Sequence, residues 1–68
     1  SIYFIADPSV CGGRDVVDVV MQAVAGGATM VQLRNKSGNK AEFLAQGAVL
    51  AEVLKAKAIP FLINDDIE

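Results

Sequence analysis

Thr29-Met30-Val31-Gln32-Leu33-Arg34-Asn35-Lys36 reads as a strand that changes character part-way along. It opens apolar and then carries Gln, Arg and Lys at every second position. Successive strand side chains point to opposite faces, so Gln32 and Arg34 share one face and Lys36 follows just past the strand end. Val31 and Leu33 take the other face, toward a core. An amide, a guanidinium and an ammonium thus converge where a parallel strand meets its loop. That combination suits an anion, and phosphate above all.

The flanking sequence shows what kind of strand this is. Ile2-Tyr3-Phe4-Ile5-Ala6 is a continuous apolar run closed by Asp7-Pro8, the signature of a buried strand. Cys11-Gly12-Gly13-Arg14 reads as a loop and Asp15 as a helix N-cap. Val16, Val17, Val19, Val20, Ala23 and Val24 follow as a helical apolar face, which Gly26-Gly27 ends. The second strand is expected over Ala28–Leu33 and a turn over Ser37–Asn39. Asn39 with Glu42 resembles a capping box. Phe43, Leu44, Gly47, Leu50, Ala51 and Leu54 recur at helical spacing, in a helix running to about Lys57. Lys55 and Lys57 suit the negative end of its dipole. Ile59–Ile63 reads as a third strand, closed by Asn64-Asp65-Asp66.

The order is β-α-β-α-β with near-continuously apolar strands, which means parallel strands joined by helical crossovers. The fold class is α/β. The 68 residues allow one domain at most. Three strands and two helices leave both sheet edges open, a liability in isolation. Residues 1–68 are therefore expected to be a single incomplete domain, the front part of a larger α/β fold.

Composition excludes several classes of function. Net charge is −2 without a clustered basic stretch, which argues against a nucleic-acid partner. The apolar runs are too short to span a bilayer, and no basic-then-apolar leader is seen. The single cysteine, Cys11, permits no internal disulfide, and a soluble cytoplasmic protein is expected. The chain has no histidine, so a Cys-His nucleophile is excluded within it and proton shuttling loses its commonest agent. Chemistry run by electrostatics and metal is favoured.

Polar groups close every strand: Asp7 the first, Gln32, Arg34 and Lys36 the second, Asn64, Asp65 and Asp66 the third. In parallel α/β folds these ends share one rim, where active sites are built. Each residue also has a plain structural reading. Lys36 fits a surface pair with Asp65 or Glu42. Arg34, sharing a face with a strand-interior residue, needs Asp7, Asp65 or a bound phosphate. Gln32 is a satisfied core amide or the group that orients a heterocycle. Asp65 either ligates Mg²⁺, which one or two carboxylates and substrate phosphates usually hold, or caps the next helix. Asp66 fits the capping role. Gly12-Gly13-Arg14 lacks the spacing of a phosphate-binding loop.

Tyr3-Phe4-Ile5 with Asp7, Gly26 through Lys36, and Pro60-Phe61-Leu62-Ile63-Asn64-Asp65 resemble the N-terminal part of the thiamine-phosphate synthase family. The resemblance runs over nearly the whole chain, and the family's central strings, close to VQLREK and IINDR, recur in the same order and separation. It implies a TIM (β/α)8 barrel, of which this chain supplies the first three strands. It also implies coupling of hydroxymethylpyrimidine diphosphate with thiazole phosphate, giving thiamine phosphate and diphosphate. By the same resemblance Gln32 contacts the pyrimidine diphosphate. Arg34, Lys36 and Asn64 bind its diphosphate, Asp65 ligates Mg²⁺, and no protein nucleophile takes part.

Asn35 stands where the family commonly has Glu, and Asp66 where it often has Arg. The second metal carboxylate, a later Lys and the loops for the thiazole phosphate fall beyond Glu68. Residues 1–68 alone are thus expected to be inactive. Other readings are a thiazole tautomerase, another phosphate-binding barrel, or a non-catalytic assembly module pairing through its open edge. Homo-oligomerisation and fusion to another enzyme of the pathway are left open.

Overall fold

The computed structural model describes residues 2–35 and 39–65. Strands and helices alternate as β1 (Tyr3–Ala6), α1 (Val16–Ala25), β2 (Met30–Asn35), α2 (Lys40–Ala56) and β3 (Phe61–Asp65). A short 3₁₀ turn, Pro8–Val10, follows β1. The strands form one parallel sheet in the order β1-β2-β3. This is the expected β-α-β-α-β arrangement, the repeating unit of a TIM-type barrel.

Local chemistry sets the helix starts. The Asp15 carboxylate accepts the Val17 N–H at 2.9 Å and the Asn39 amide oxygen accepts the Glu42 N–H at 3.0 Å. Each satisfies a donor that the first helical turn leaves open.

Both helices end in the same motif. After α1, the Gly27 N–H bonds the Val24 carbonyl and the Ala28 N–H bonds the Ala23 carbonyl, both at 3.0 Å. After α2, the Ala58 N–H bonds the Lys55 carbonyl at 3.0 Å and the Ile59 N–H bonds the Leu54 carbonyl at 2.9 Å. These are Schellman closures, which require one residue at positive φ. Gly27 supplies it at 115° and Ala58 at 57°.

The closures explain where the strands begin. The expected strands Ala28–Leu33 and Ile59–Ile63 are observed two residues later, as Met30–Asn35 and Phe61–Asp65. Ala28 and Ile59 are committed to ending helices, so their N–H groups are unavailable to the sheet. At the other end, Arg34 pairs with Asn64 and Asn35 with Asp65 inside the ladder. Arg34, Asn64 and Asp65, expected at or past the strand ends, therefore belong to the strands, whereas Asp7 lies outside β1.

Both helices cover one sheet face: α1 packs on β1 and on α2, and α2 packs on β2 and β3. The core between the layers holds Ala6, Val16, Val20, Val31, Leu33, Phe43, Leu50 and Leu54. Fully burying a side chain of the Leu or Phe class stabilises by about 1.5–3 kcal/mol each. Gly47 lets α2 approach closely, since a Cβ there would stand 3.1 Å from Ile63 Cδ1 and 3.8 Å from Leu33 Cδ2. Leu44 and Ala51, expected on the buried stripe, are exposed instead. Each follows a buried position by one residue, a rotation of about 100° that takes the side chain off the sheet.

The other sheet face carries no helix among the described residues. Tyr3, Ile5 and Leu62 lie half exposed on it, and Gln32 and Arg34 share it.

Candidate functional site

The register assembles the site row by row. Ile5, Gln32 and Leu62 are neighbours across the three strands, and Arg34 and Asn64 face each other one row nearer the C-terminal strand ends. Register partners share a face, so Gln32, Arg34 and Asn64 stand together on the uncovered side. The neighbouring parity places Val31, Leu33 and Asn35 under the helices, all fully buried. Arg34 is half-buried, and its Nε is shielded from solvent. The Gln32 amide, flanked by Ile5 and Leu62, lies one row below the two other polar groups. The surface is therefore mostly apolar at depth and hydrogen-bonding at the rim.

Asp65 does not join that face. It pairs in register with Asn35, and its Oδ1 accepts from Asn35 Nδ2 at 3.4 Å. Its Oδ2 lies 3.6 Å from Lys40 Nζ at the start of α2. Strand alternation is the reason: Asn64 and Asp65 are consecutive in β3, so they point to opposite sides. Asp65 nevertheless sits at the last position of β3, on the same rim as Asn64. Lys36 and Asp66 lie outside the described residues.

Asp7 also has a local task. Its Oδ1 accepts the Ser9 N–H at 2.9 Å and the Ser9 hydroxyl at 2.7 Å, capping the 3₁₀ turn. Asp7 thus shapes the first rim loop. Cys11 sits in the same loop, its Sγ donating to the Asp7 carbonyl at 3.4 Å. Burial pushes the Cys11 thiol above its ordinary pKa, the Asp7 carboxylate adds to the rise, and Arg14 opposes it. The thiol is held protonated, contrary to what a nucleophile needs.

Among the described residues no cluster of three or more His, Cys, Asp or Glu side chains is placed to hold a metal. Asp65 presents two carboxylate oxygens at the rim, one on a fully buried amide and the other on an exposed ammonium. Carboxylate oxygen is the donor type that hard divalent cations take, so among the described rim residues Asp65 is one that could contribute to such a site. A separate cleft of about 670 Å³ opens between the α1 N-terminus and α2, beside Arg14, Asp15, Glu42 and Gln46. None of Gln32, Arg34, Asn64 or Asp65 lines it, and it lies in the helical layer rather than at the strand ends.

The family model described as thiamine monophosphate synthase matches residues 2–68. The chain belongs to this family. A thiamine-phosphate synthase of Albidiferax ferrireducens is 46% identical over 67 residues, covering 98% of this chain and 31% of that protein. One from Persephonella marina is 34% identical over 68 residues, covering 100% of this chain and 32% of that protein. A probable thiamine biosynthetic bifunctional enzyme of rice chloroplasts is 41% identical over 56 residues, 82% of this chain and 10% of that protein. The chain spans about a third of the length of the thiamine-phosphate synthases it matches. No solved structure matches it. No helix among the described residues is long and apolar enough to cross a membrane.

Proposed function

We propose that the chain forms part of a cytoplasmic thiamine-phosphate synthase, a transferase that couples hydroxymethylpyrimidine diphosphate with thiazole phosphate. The observation that carries this reading is the shared placement of Gln32, Arg34 and Asn64 on the face opposite α1 and α2, in a chain that the family model matches almost end to end.

The reaction needs little covalent help from protein. The bond between the pyrimidine methylene carbon and the diphosphate oxygen breaks, and its electron pair leaves with diphosphate. The thiazole nitrogen then donates its lone pair to that carbon. Negative charge grows on the departing oxygens, so fixed donors beside them lower the barrier. The Arg34 guanidinium and the Asn64 amide are two such donors from adjacent strands, and Lys36 is proposed as a third. Gln32, one row deeper and beside Ile5 and Leu62, offers a donor–acceptor pair to the pyrimidine edge. Mg²⁺, with Asp65 among its ligands, would neutralise charge on the leaving diphosphate when bound. The protonated Cys11 takes no part, in keeping with a mechanism without a protein nucleophile.

The test is turnover by the full-length protein carrying this segment. Thiamine phosphate and diphosphate should form in equal amounts and require Mg²⁺. Arg34→Ala or Asn64→Ala should depress the rate. Metal-independent turnover, or rates untouched by both substitutions, would remove the reading. Residues 1–68 by themselves should show no turnover.

A further inference from the structure

We propose that Asn35 is a positioning residue for Asp65, and that Lys40 is a counter-ion which competes with the metal for the same carboxylate. The proposal rests on the reading of Asp65 as a Mg²⁺ ligand.

The two carboxylate oxygens have unlike partners. Oδ1 accepts from Asn35 Nδ2 at 3.4 Å, about as long as the contact on the other oxygen, but Asn35 is only 2% exposed, so the difference between the two partners is one of burial. Asn35 is also the ladder partner of Asp65, so backbone pairing and side-chain contact fix the two residues together. Solvent does not reach the buried amide, so moving it off the carboxylate would cost that bond with no water to replace it. Oδ2 faces Lys40 Nζ at 3.6 Å, a long contact to a side chain that is 70% exposed. Such a surface pair is weak and readily exchanged. The arrangement therefore has one fixed oxygen and one exchangeable oxygen. The exchangeable one faces the Lys40 ammonium, which a divalent cation would have to replace.

The amide matters for charge as well as direction. A neutral donor steadies Asp65 without contributing a second negative charge, so Asp65 enters the metal site as a single carboxylate. Lys40, by contrast, opposes metal binding: its ammonium must be displaced or must swing into solvent.

Two substitutions should act in opposite directions on metal affinity. Mn²⁺ serves as the probe, titrated into the full-length protein in the presence of inorganic diphosphate and followed by electron paramagnetic resonance. Asn35→Leu should weaken Mn²⁺ binding severalfold, the loss of one long hydrogen bond to a charged group. Inorganic diphosphate binding without metal should be unchanged, which separates positioning from general damage to the sheet. Lys40→Gln should tighten Mn²⁺ binding, and the gain should shrink in high salt as the lysine charge is screened. Lys40 is exposed, so this variant decides the counter-ion role whatever Asn35→Leu does, and if Asn35→Leu fails to fold the smaller change Asn35→Ser, which also removes the amide donor, takes its place with the same expected loss. Asp65→Ala is the control for the underlying reading. If it leaves Mn²⁺ binding intact, both the metal-ligand reading and this proposal fall. If it abolishes binding while Lys40→Gln and a folded Asn35→Leu leave it unchanged, the positioning proposal alone falls. Equal loss of metal and metal-free diphosphate binding in Asn35→Leu, with no gain in Lys40→Gln, would also overturn it.

Discussion

Arg34 and Asn64 are direct cross-strand partners on the sheet face that the helices leave bare. Neighbouring strands lie about 4.7–4.9 Å apart, close enough for both side chains to reach one diphosphate, as the proposed function requires. Each substitution to Ala should raise the KM for the pyrimidine diphosphate and lower kcat/KM. The loss for Arg34→Ala should be about 1.5–3 kcal/mol, the range for a hydrogen bond to a charged group. Arg34→Lys should recover only part of it, because an ammonium cannot make the two parallel bonds of a guanidinium. The double variant should lose less than the sum of the singles, since the two donors share one ligand. Strict additivity in steady-state kinetics would show that they serve different groups.

Gly27 and Ala58 hold the same position in two equivalent helix closures, and they differ in what that position costs. Gly27 takes φ of 115° without a Cβ to oppose it, whereas Ala58 takes 57° with one. An L-residue in the left-handed region costs about 1–2 kcal/mol relative to the right-handed one. Gly27→Ala should therefore destabilise the full-length protein by roughly 1 kcal/mol or more. Ala58→Gly should stabilise it by up to about 1 kcal/mol, less the entropy of a freer unfolded chain. Paired denaturant unfolding curves test both signs at once.

These two closures also show what the sequence makes legible. Gly26-Gly27 announces the end of α1, while Ala58 carries no mark of a left-handed residue. The alternation Val31-Gln32-Leu33-Arg34 is local, and by itself it assigns those side chains to their faces. Asn64 and Asp65 are harder to place, because two adjacent polar residues after an apolar run look like a loop. Their pairing with Arg34 and Asn35 is set by the β2–β3 register, a non-local property. The separation of Asp65 from the Arg34 face follows from that register and cannot be read from β3 alone. Leu44 shows the same limit in α2, where two adjacent apolar residues, Phe43 and Leu44, fit the stripe equally well until the sheet selects one.

Gly47 is held by its neighbours and not by backbone conformation. Alanine there would gain about 0.8–1 kcal/mol of helix propensity. Its Cβ would meet Ile63 Cδ1 at 3.1 Å, a contact that Ile63 must relieve by shifting a few tenths of an ångström. The two effects nearly cancel, so Gly47→Ala should change stability little. Gly47→Val adds two further methyl groups against Ile63 and Leu33 and forfeits the propensity gain. Overpacking of that kind costs about 1–3 kcal/mol. Calorimetric unfolding of the two variants should rank them in that order, and a strongly destabilised Gly47→Ala would mean that β3 cannot yield.

Cys11 should be a slow thiol in the folded protein. Burial and the Asp7 carboxylate both raise its pKa, so at mildly alkaline pH the folded chain carries less thiolate than the unfolded one. Alkylation by iodoacetamide should be slower in the native protein than in denaturant at the same pH. Removing the repulsive charge with Asp7→Asn should speed the native reaction. The sign for stability follows from the same shift. The folded state holds its thiol proton more tightly, so this contribution is fully present below the unfolded thiol's pKa. It is lost as pH rises from there through the higher folded value. Replacing Cys11 with Ser should flatten that alkaline loss. An unchanged alkaline slope in the serine variant would place its origin in another group.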